Sequence, residues 1–388
     1  MSERYSQRGV SSDKSDVHFA IRNLDKGLYP RAFCKVLPDL MLNDPEACVI
    51  MHADGAGTKS SLAYLYWRET GDISVWRGIV QDGIVMNIDD MMCVGACDSF
   101  LLSNTIGRNS FLIPKEVLAE MLNGMEDFFE MLREHGIQIV NTGGETADVP
   151  DVVKTLIFDA TAYSRMPRSA VITNENIGPG SVIVGLSSAG QAKYETTYNS
   201  GIGSNGLTSA RHDVLSGMYR EKYPETYDIS IPEHLAYSGQ YTLDTQLENH
   251  PLSVGKLLLS PTRTYLPFMR EVFGTYRQQI HGLIHCTGGG QTKILKFIEH
   301  LRVVKNNLLP IPPIFSLIQS SSQTDWKEMY KVFNMGHRLE IYTDPATAQG
   351  ILSLADKFHI EAGIIGFCEV AETNQLIIES DAGSFMYS

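Results

Sequence analysis

Long apolar runs are missing from this chain. No stretch approaches the roughly eighteen apolar residues that a membrane-spanning helix needs, so no span is expected. Cysteine is scarce as well, with 6 in 388 residues and none in a C-x-x-C pair. Cys93 and Cys97, the closest two, sit in a Met-rich apolar run, where the core face of one helix suits them better than a metal. The first residues are polar and mixed in charge, unlike a secretory leader. With no leader and no disulfide framework, the sequence predicts a cytoplasmic protein. Basic charge is also short, since 32 Lys plus Arg stand against 45 Asp plus Glu, a net of −13. That deficit argues against a broad nucleic-acid footprint, because the phosphate backbone demands positive charge. It leaves room for a small polyanion, held where a few basic groups, backbone N–H groups or a metal ion gather. Walker A spacing and a G-x-S-x-G nucleophile turn are both absent.

What remains is an ordinary globular balance, 43% apolar and 20% charged, in a chain long enough for two or three domains. Strands and helices alternate without a repeat, which reads as a mixed α/β protein. Ala47–Ala53 is short, apolar and β-branched, as a buried strand should be. Helices are expected at 61–68 and 80–95, and a strand at 98–107. Pro114 opens an amphipathic helix, with apolar residues from Val117 to Leu132 at helical spacing and Gly136 at its exit. Strands follow at 137–140 and 152–164. A polar, turn-rich break near residue 172 divides the chain into expected domains 1–172 and 173–388. In the second half we expect strands at 181–188, 279–286, 336–343, 360–368 and 374–379. Helices are expected at 209–218, 261–273, 290–302, 325–333 and 346–358, with a loop or small excursion over 219–255.

Three segments of the first half share a plan, in which carboxylates stand beside glycine or inside an apolar element. Asp54-Gly55-Ala56-Gly57-Thr58-Lys59 offers glycines for close backbone approach, a hard oxygen ligand in Asp54 and a mobile cation in Lys59. A turn held by a salt bridge is the alternative. Asp89-Asp90 lies inside an apolar helix, where two carboxylates are costly to bury unless something positive meets them. The alternative is a solvated face. Gly143-Gly144-Glu145-Thr146 follows a buried strand and again suits backbone approach with metal coordination, or a plain turn. Mg²⁺ needs only a few carboxylates when substrate phosphates supply its other ligands, and Asp54, Asp90 and Glu145 together suffice.

In the second half, Thr287, Gly288, Gly289 and Gly290 close a strand and open an expected helix, a position suited to phosphate. A structural glycine turn fits the motif equally. Gly203-Ser204-Asn205-Gly206 also opens a helix and supplies small polar donors. Spacing by itself reaches a Mg²⁺–nucleotide enzyme and goes no further.

Six motifs then resemble, in order, the aminoimidazole ribonucleotide (AIR) synthase family. They are D-G-A-G-T-K (54–59), I-D-D-M-M-C-V-G-A (88–96), G-G-E-T-A-D-V-P (143–150), L-S-P-T-R (259–263), H-C-T-G-G-G (285–290) and E-M-Y-K-V-F-N-M-G (328–336). The resemblance runs from Tyr5–Val10 to about Gly366. It implies two AIR synthase-like α/β domains and a homodimer whose N-terminal sheets pack together. The implied reaction turns ATP and formylglycinamidine ribonucleotide into aminoimidazole ribonucleotide, ADP and phosphate, through an iminophosphate, in purine biosynthesis. Carried over by motif, Asp54, Lys59 and Asp90 are catalytic, and Asp54, Asp90 and Glu145 hold Mg²⁺. Gly55, Gly57, Thr58, Gly143, Gly144 and Thr146 join Asp54, Lys59 and Glu145 around ATP. Ser204, Asn205 and Thr287 to Gly290 take the substrate.

Two departures stand out. The family's G-P-H-S-N-G turn is replaced by a longer loop over 191–203, which puts Gly203 where a histidine is usual, with Lys193 and His212 as weak substitutes. The family's F-N-x-G-x-G-M becomes F-N-M-G-H-R-L, with Arg338 in place of glycine, facing either a phosphate or Glu340. The alternatives are a superfamily relative with an altered substrate and a catalytically silent nucleotide-binding protein.

Overall fold

The computed structural model describes residues 2–10, 19–20, 23–248 and 250–388. Two sheets organise the chain. The first is made of β1 (Val36–Pro38), β2 (Ala47–Gly55), β3 (Ser99–Arg108), β4 (Gln138–Asp148) and β5 (Leu156–Pro167). Its order is β1-β2-β5-β3-β4, and only β3 and β4 run parallel. Helices α1 (Lys59–Thr70), α2 (Val75–Met92) and α3 (Lys115–Glu134) cover one face. α2 is buried almost all round, and takes Asp82, Asn87 and Asp89 inside along with its apolar residues. α3 buries the stripe Val117, Met121, Met125, Phe128, Phe129 and Leu132, between Pro114 and a left-handed Gly136. Among the described residues the other face of the sheet carries no covering element, so β5 alternates between buried and accessible residues along its length.

The second sheet contains β6 (Val182–Ser187), β7 (Ile280–His285), β8 (Leu301–Lys305), β9 (His337–Thr343), β10 (Ala362–Val370), β11 (Gln375–Ser380) and β12 (Gly383–Tyr387). Its order is β12-β11-β8-β10-β6-β9-β7, with β9 buried on both faces. Around it lie α4 (Leu207–Val214), α5 (Val254–Leu259), α6 (Leu266–Tyr276), α7 (Pro313–Ser322), α8 (Trp326–Val332) and α9 (Pro345–Lys357). Asp344 caps α9 by accepting from the amides of Ala346 and Thr347, with Pro345 in the first turn. One continuous apolar cluster joins the helices between the two sheets. The fold is a mixed α/β architecture, as the sequence predicts.

Several expected elements differ. Asn141–Asp148 is not a loop but the second half of β4, continuing its pairing with β3 past a bulge between Leu102 and Asn104. Gly144 makes this possible, because a Cβ there would lie 1.9 Å from the Asn104 carbonyl. Asp54 and Gly55 likewise still belong to β2. The helix expected at 290–302 is a single 3₁₀ segment, Gly290–Lys296, followed by the β-branched strand β8. The stretch 219–255 is folded rather than open: Tyr219, Tyr223 and Tyr237 are buried, and short helical turns end in α5.

Candidate active site

The buried helix α2 ties the two halves together through three carboxylates. Asp82 and Asp89 stand seven residues apart, two helical turns, so both meet the 260–265 segment. Asp82 accepts from the amide of Thr262 at 2.8 Å and from its hydroxyl at 2.5 Å. Asp89 accepts from Thr264 Oγ1 at 2.6 Å and from the amide of Tyr265 at 2.9 Å. Burial raises the Asp89 carboxyl to about 7 despite these donors. Asp90, next along, accepts from His285 Nδ1 at 2.7 Å and faces His52 Nε2 at 3.5 Å. Burial works to raise the Asp90 carboxyl, but the His285 hydrogen bond and charge outweigh it and hold it below the usual range. Burial also lowers His285 to about 4, so its Nδ1–H donates and Nε2 is a bare acceptor, buried without a partner among the described residues. A hydrogen-bond donor therefore does meet Asp90, and it is no solvated face.

Lys59 corrects an expectation. Its ammonium is fully buried, between Asp82 at 2.9 Å and the carbonyls of Ser260 at 2.6 Å and Gly203 at 3.1 Å. Burial lowers its pKa against the pull of Asp82. All three of its donors are used, so it is a structural anchor and not a mobile cation for phosphate. Ahead of it the turn is accessible: Asp54 and Gly57 are exposed, and the amide of Gly55 donates to Asp54 Oδ1 at 2.7 Å. Thr58 Oγ1 meets Thr208 Oγ1 at 2.7 Å, which brings this turn against the start of α4, where Ser204 and Asn205 lie.

The three proposed metal ligands do not converge. Gly55, Asp159, Thr105 and Glu145 form one row across β2, β5, β3 and β4, so Asp159 and Glu145 stand on the uncovered face. Asp90 lies on a helix beneath the opposite face. Asp54 pairs with Ala160, whose side chain is on the covered side, and sits at the strand end. Among the described residues no group of three His, Cys, Asp or Glu is placed to hold a metal. The donor set Asp54, Asp90 and Glu145 thus does not fit Mg²⁺ within one chain, because strand parity sends its members to different faces. Asp159, which the sequence analysis did not single out, is a carboxylate close enough to Asp54 to feel its charge. Burial first, and then the Asp54 charge, raise its pKa, and its carboxylate occupies the space where Gly55 would carry a Cβ.

In the second half, Thr287 Oγ1 accepts from Lys293, and Gly289 and Gly290 both have positive φ. Gly290 packs against the carbonyls of Tyr330 and Phe333, where a Cβ would come within 2.6 Å. With only a short 3₁₀ turn behind it, the 287–290 segment lacks the helix dipole expected there. Asn334 bridges this region to the 201–206 loop, accepting from Ser188 and donating to the Gly201 carbonyl at 2.9 Å. His212 is a core residue, T-stacked on Tyr237 and driven by burial to about 2, so it does not replace the missing histidine. Arg338 does not bridge to Glu340, which instead pairs with Lys305 and His337. The inserted 191–203 loop packs on L-S-P-T-R: Glu195 pairs with Arg263 at 2.5 Å, and Asn199 donates to the Pro261 carbonyl at 2.7 Å. It also walls a cavity of about 630 Å³ with Arg77 and Lys256, whose charges Glu120, Asp127 and Asp72 already satisfy.

His52, Asp82 and His285 were legible only in part. His52 lies two residues before Asp54 on the same side of β2, and Asp82 lies seven before Asp89. Both spacings are visible in the sequence.

Fold and motifs define a protein of the AIR synthase-like class. The N-terminal domain model of AIR synthase related proteins matches residues 34–166. A Pyrococcus furiosus protein called phosphoribosylformylglycinamidine cyclo-ligase is 30% identical over 338 residues, covering 86% of this chain and 82% of its own. A Methanocaldococcus jannaschii protein of the same name is 28% identical over 319 residues, covering 82% and 77%. Among solved structures, a chain of a HypE–HypF complex aligns over 97% of this chain and 99% of itself, with a TM-score of 0.55 and 13% identity. Thermotoga maritima PurL complexed with FGAR aligns with a TM-score of 0.52 and 12% identity. This chain spans 88% of its own length in that match but only 45% of PurL. The chain belongs to the AIR synthase family.

Proposed function

We propose that this protein closes the imidazole ring of formylglycinamidine ribonucleotide at the expense of ATP, giving aminoimidazole ribonucleotide, ADP and phosphate. The observation that carries the reading is the meeting of the two motif-bearing loops, Thr58 against Thr208, over a junction built by Asp82, Asp89 and Asp90. Similarity to cyclo-ligases over most of the chain supports the substrate.

An amide oxygen is a poor leaving group. In the proposed reaction it attacks the terminal phosphorus of ATP, ADP departs, and an iminophosphate forms. The ribosyl-bound nitrogen then attacks that carbon, and the C–O bond breaks with loss of phosphate. Holding both reactants oriented supplies much of the acceleration. We assign Asp54, Gly55, Gly57 and Thr58 to the nucleotide, and Ser204, Asn205 and Thr287 to Gly290 to the substrate.

The reading includes two domains divided near residue 172, a cytoplasmic location and a homodimer. The uncovered sheet face supports the dimer, because Met51, Tyr163, Leu101 and Val140 form one row across it, with Met51, Leu101 and Val140 67%, 47% and 52% exposed. Among the described residues, no helix is long and apolar enough to cross a membrane.

The test is purified protein with ATP, Mg²⁺ and formylglycinamidine ribonucleotide, followed colorimetrically for the aminoimidazole. ATP binding without product would overturn the reading. It would favour an altered substrate, a reading that the Gly203 and Arg338 departures otherwise motivate.

A further inference from the structure

The two departures from the family pattern meet in space. Position 203 is a glycine with φ +67°, and the nearest heavy atom along its missing Cβ direction is Arg338 Nη1, at 3.7 Å, followed by Thr262 Oγ1 at 3.9 Å. The arginine delivered from β9 thus fills the space beside the 203–206 loop that a side chain at 203 would enter.

Arg338 is 2% exposed. Its Nη2 donates to the Arg263 carbonyl, and its guanidinium lies over the Tyr265 ring, 5.4 Å from the centroid. Among the described residues its Nε and Nη1 are buried without a hydrogen-bond partner, as is the hydroxyl of Ser204 in the same loop. Among the described residues no carboxylate forms an ion pair with it. The nearby Asp89 spends its oxygens on Thr264 and Tyr265, and Glu340 on Lys305, His337 and Tyr342. Lys59, which reaches the Gly203 carbonyl, adds a second buried cation. Proteins rarely bury a guanidinium with donors unspent, because its desolvation goes uncompensated. The arrangement is short of one anion.

We propose that Arg338 and Ser204 form an oxyanion subsite beneath the 203–206 loop, with the planar guanidinium fork of Arg338 taking one phosphoryl group of the ligand. The class of ligand rests on the function proposed above. The phosphoryl group comes either from the end of ATP or from the ribose 5-phosphate of the substrate.

The test uses the full-length protein, wild type and Arg338→Met, which keeps the bulk of the side chain and removes the charge. ATP and ribose 5-phosphate are titrated separately by calorimetry, and thermal melting is followed in parallel. The expected result is at least about a tenfold loss of affinity for one probe, with the other unchanged and melting equal or higher. Whichever probe loses affinity identifies the phosphoryl group. The proposal is overturned if Arg338→Met binds both probes like wild type, if both affinities fall together with melting, or if wild type binds neither probe. Ring closure is assayed on the same samples. Arg338-dependent binding without turnover would sink the reaction and keep the subsite. Turnover with undisturbed affinities in the variant would do the reverse.

Discussion

His285, at the end of β7, donates from Nδ1 to the Asp90 carboxylate at 2.7 Å, joining the H-C-T-G-G-G segment to the end of α2. A neutral histidine and an ionised carboxylate are thus held in a buried place, beside a second buried carboxyl, Asp89, that favours its proton. These groups respond to acid in opposite senses.

The folded His285 has its pKa lowered to about 4, so below the unfolded value the unfolded state takes up a proton that the folded state refuses. Stability from this group falls as pH drops from about 6.5 toward 4. Asp89, raised to about 7, keeps a proton that the unfolded chain releases, so its contribution grows over the same descent. Asp89→Asn therefore leaves His285 uncompensated. Thermal melting of this variant is expected to fall more steeply than wild type between pH 7 and 4. Parallel curves would contradict the assignment.

Lys59→Met removes the partner of a fully buried Asp82 and should cost about 3–5 kcal/mol in urea unfolding, the usual penalty for a buried charge left alone. A phosphate-binding lysine free of such ties would lower nucleotide affinity at little cost in stability. The urea midpoint separates the two.

Asp54 is exposed, and its carboxylate accepts from the adjacent Gly55 amide, while only its backbone carbonyl reaches inward to Asn87. Asp54→Asn is expected to change stability by no more than about 0.5 kcal/mol, while nucleotide affinity and turnover fall severely. Equal collapse of stability and activity would make Asp54 chiefly structural.

Leu101 stands in the middle of the exposed row Met51, Tyr163, Leu101, Val140. Leu101→Glu puts charge into that face, and light scattering should show a dimeric wild type and a monomeric variant. A monomeric wild type would remove the proposed dimer.

Much of the architecture is legible because apolar spacing sets it. α3 shows its stripe and both its ends, and Ala47 to Ala53 can only be a strand. Other elements hide behind local chemistry. No helix is expected between 302 and 325, yet Pro313 occupies the first turn of α7, where its missing N–H costs nothing. Gly143 and Gly144 read as a loop, although glycine there admits the Asn104 backbone of a neighbouring strand. The carboxylates were legible as residues but not as a site. Whether Glu145 shares a face with Asp159 or with Asp90 depends on strand parity past a bulge, and parity is decided by pairing partners far along the chain. The Arg338–Gly203 exchange is equally nonlocal. Each departure is visible in the sequence, but their proximity is not.

The most direct test of the whole account is product stoichiometry. Purified protein is incubated with ATP, Mg²⁺ and formylglycinamidine ribonucleotide, and ADP and aminoimidazole ribonucleotide are quantified together. The account predicts equal amounts of both, and neither with Asp54→Asn. ADP without the aminoimidazole, or no ADP at all, would contradict it.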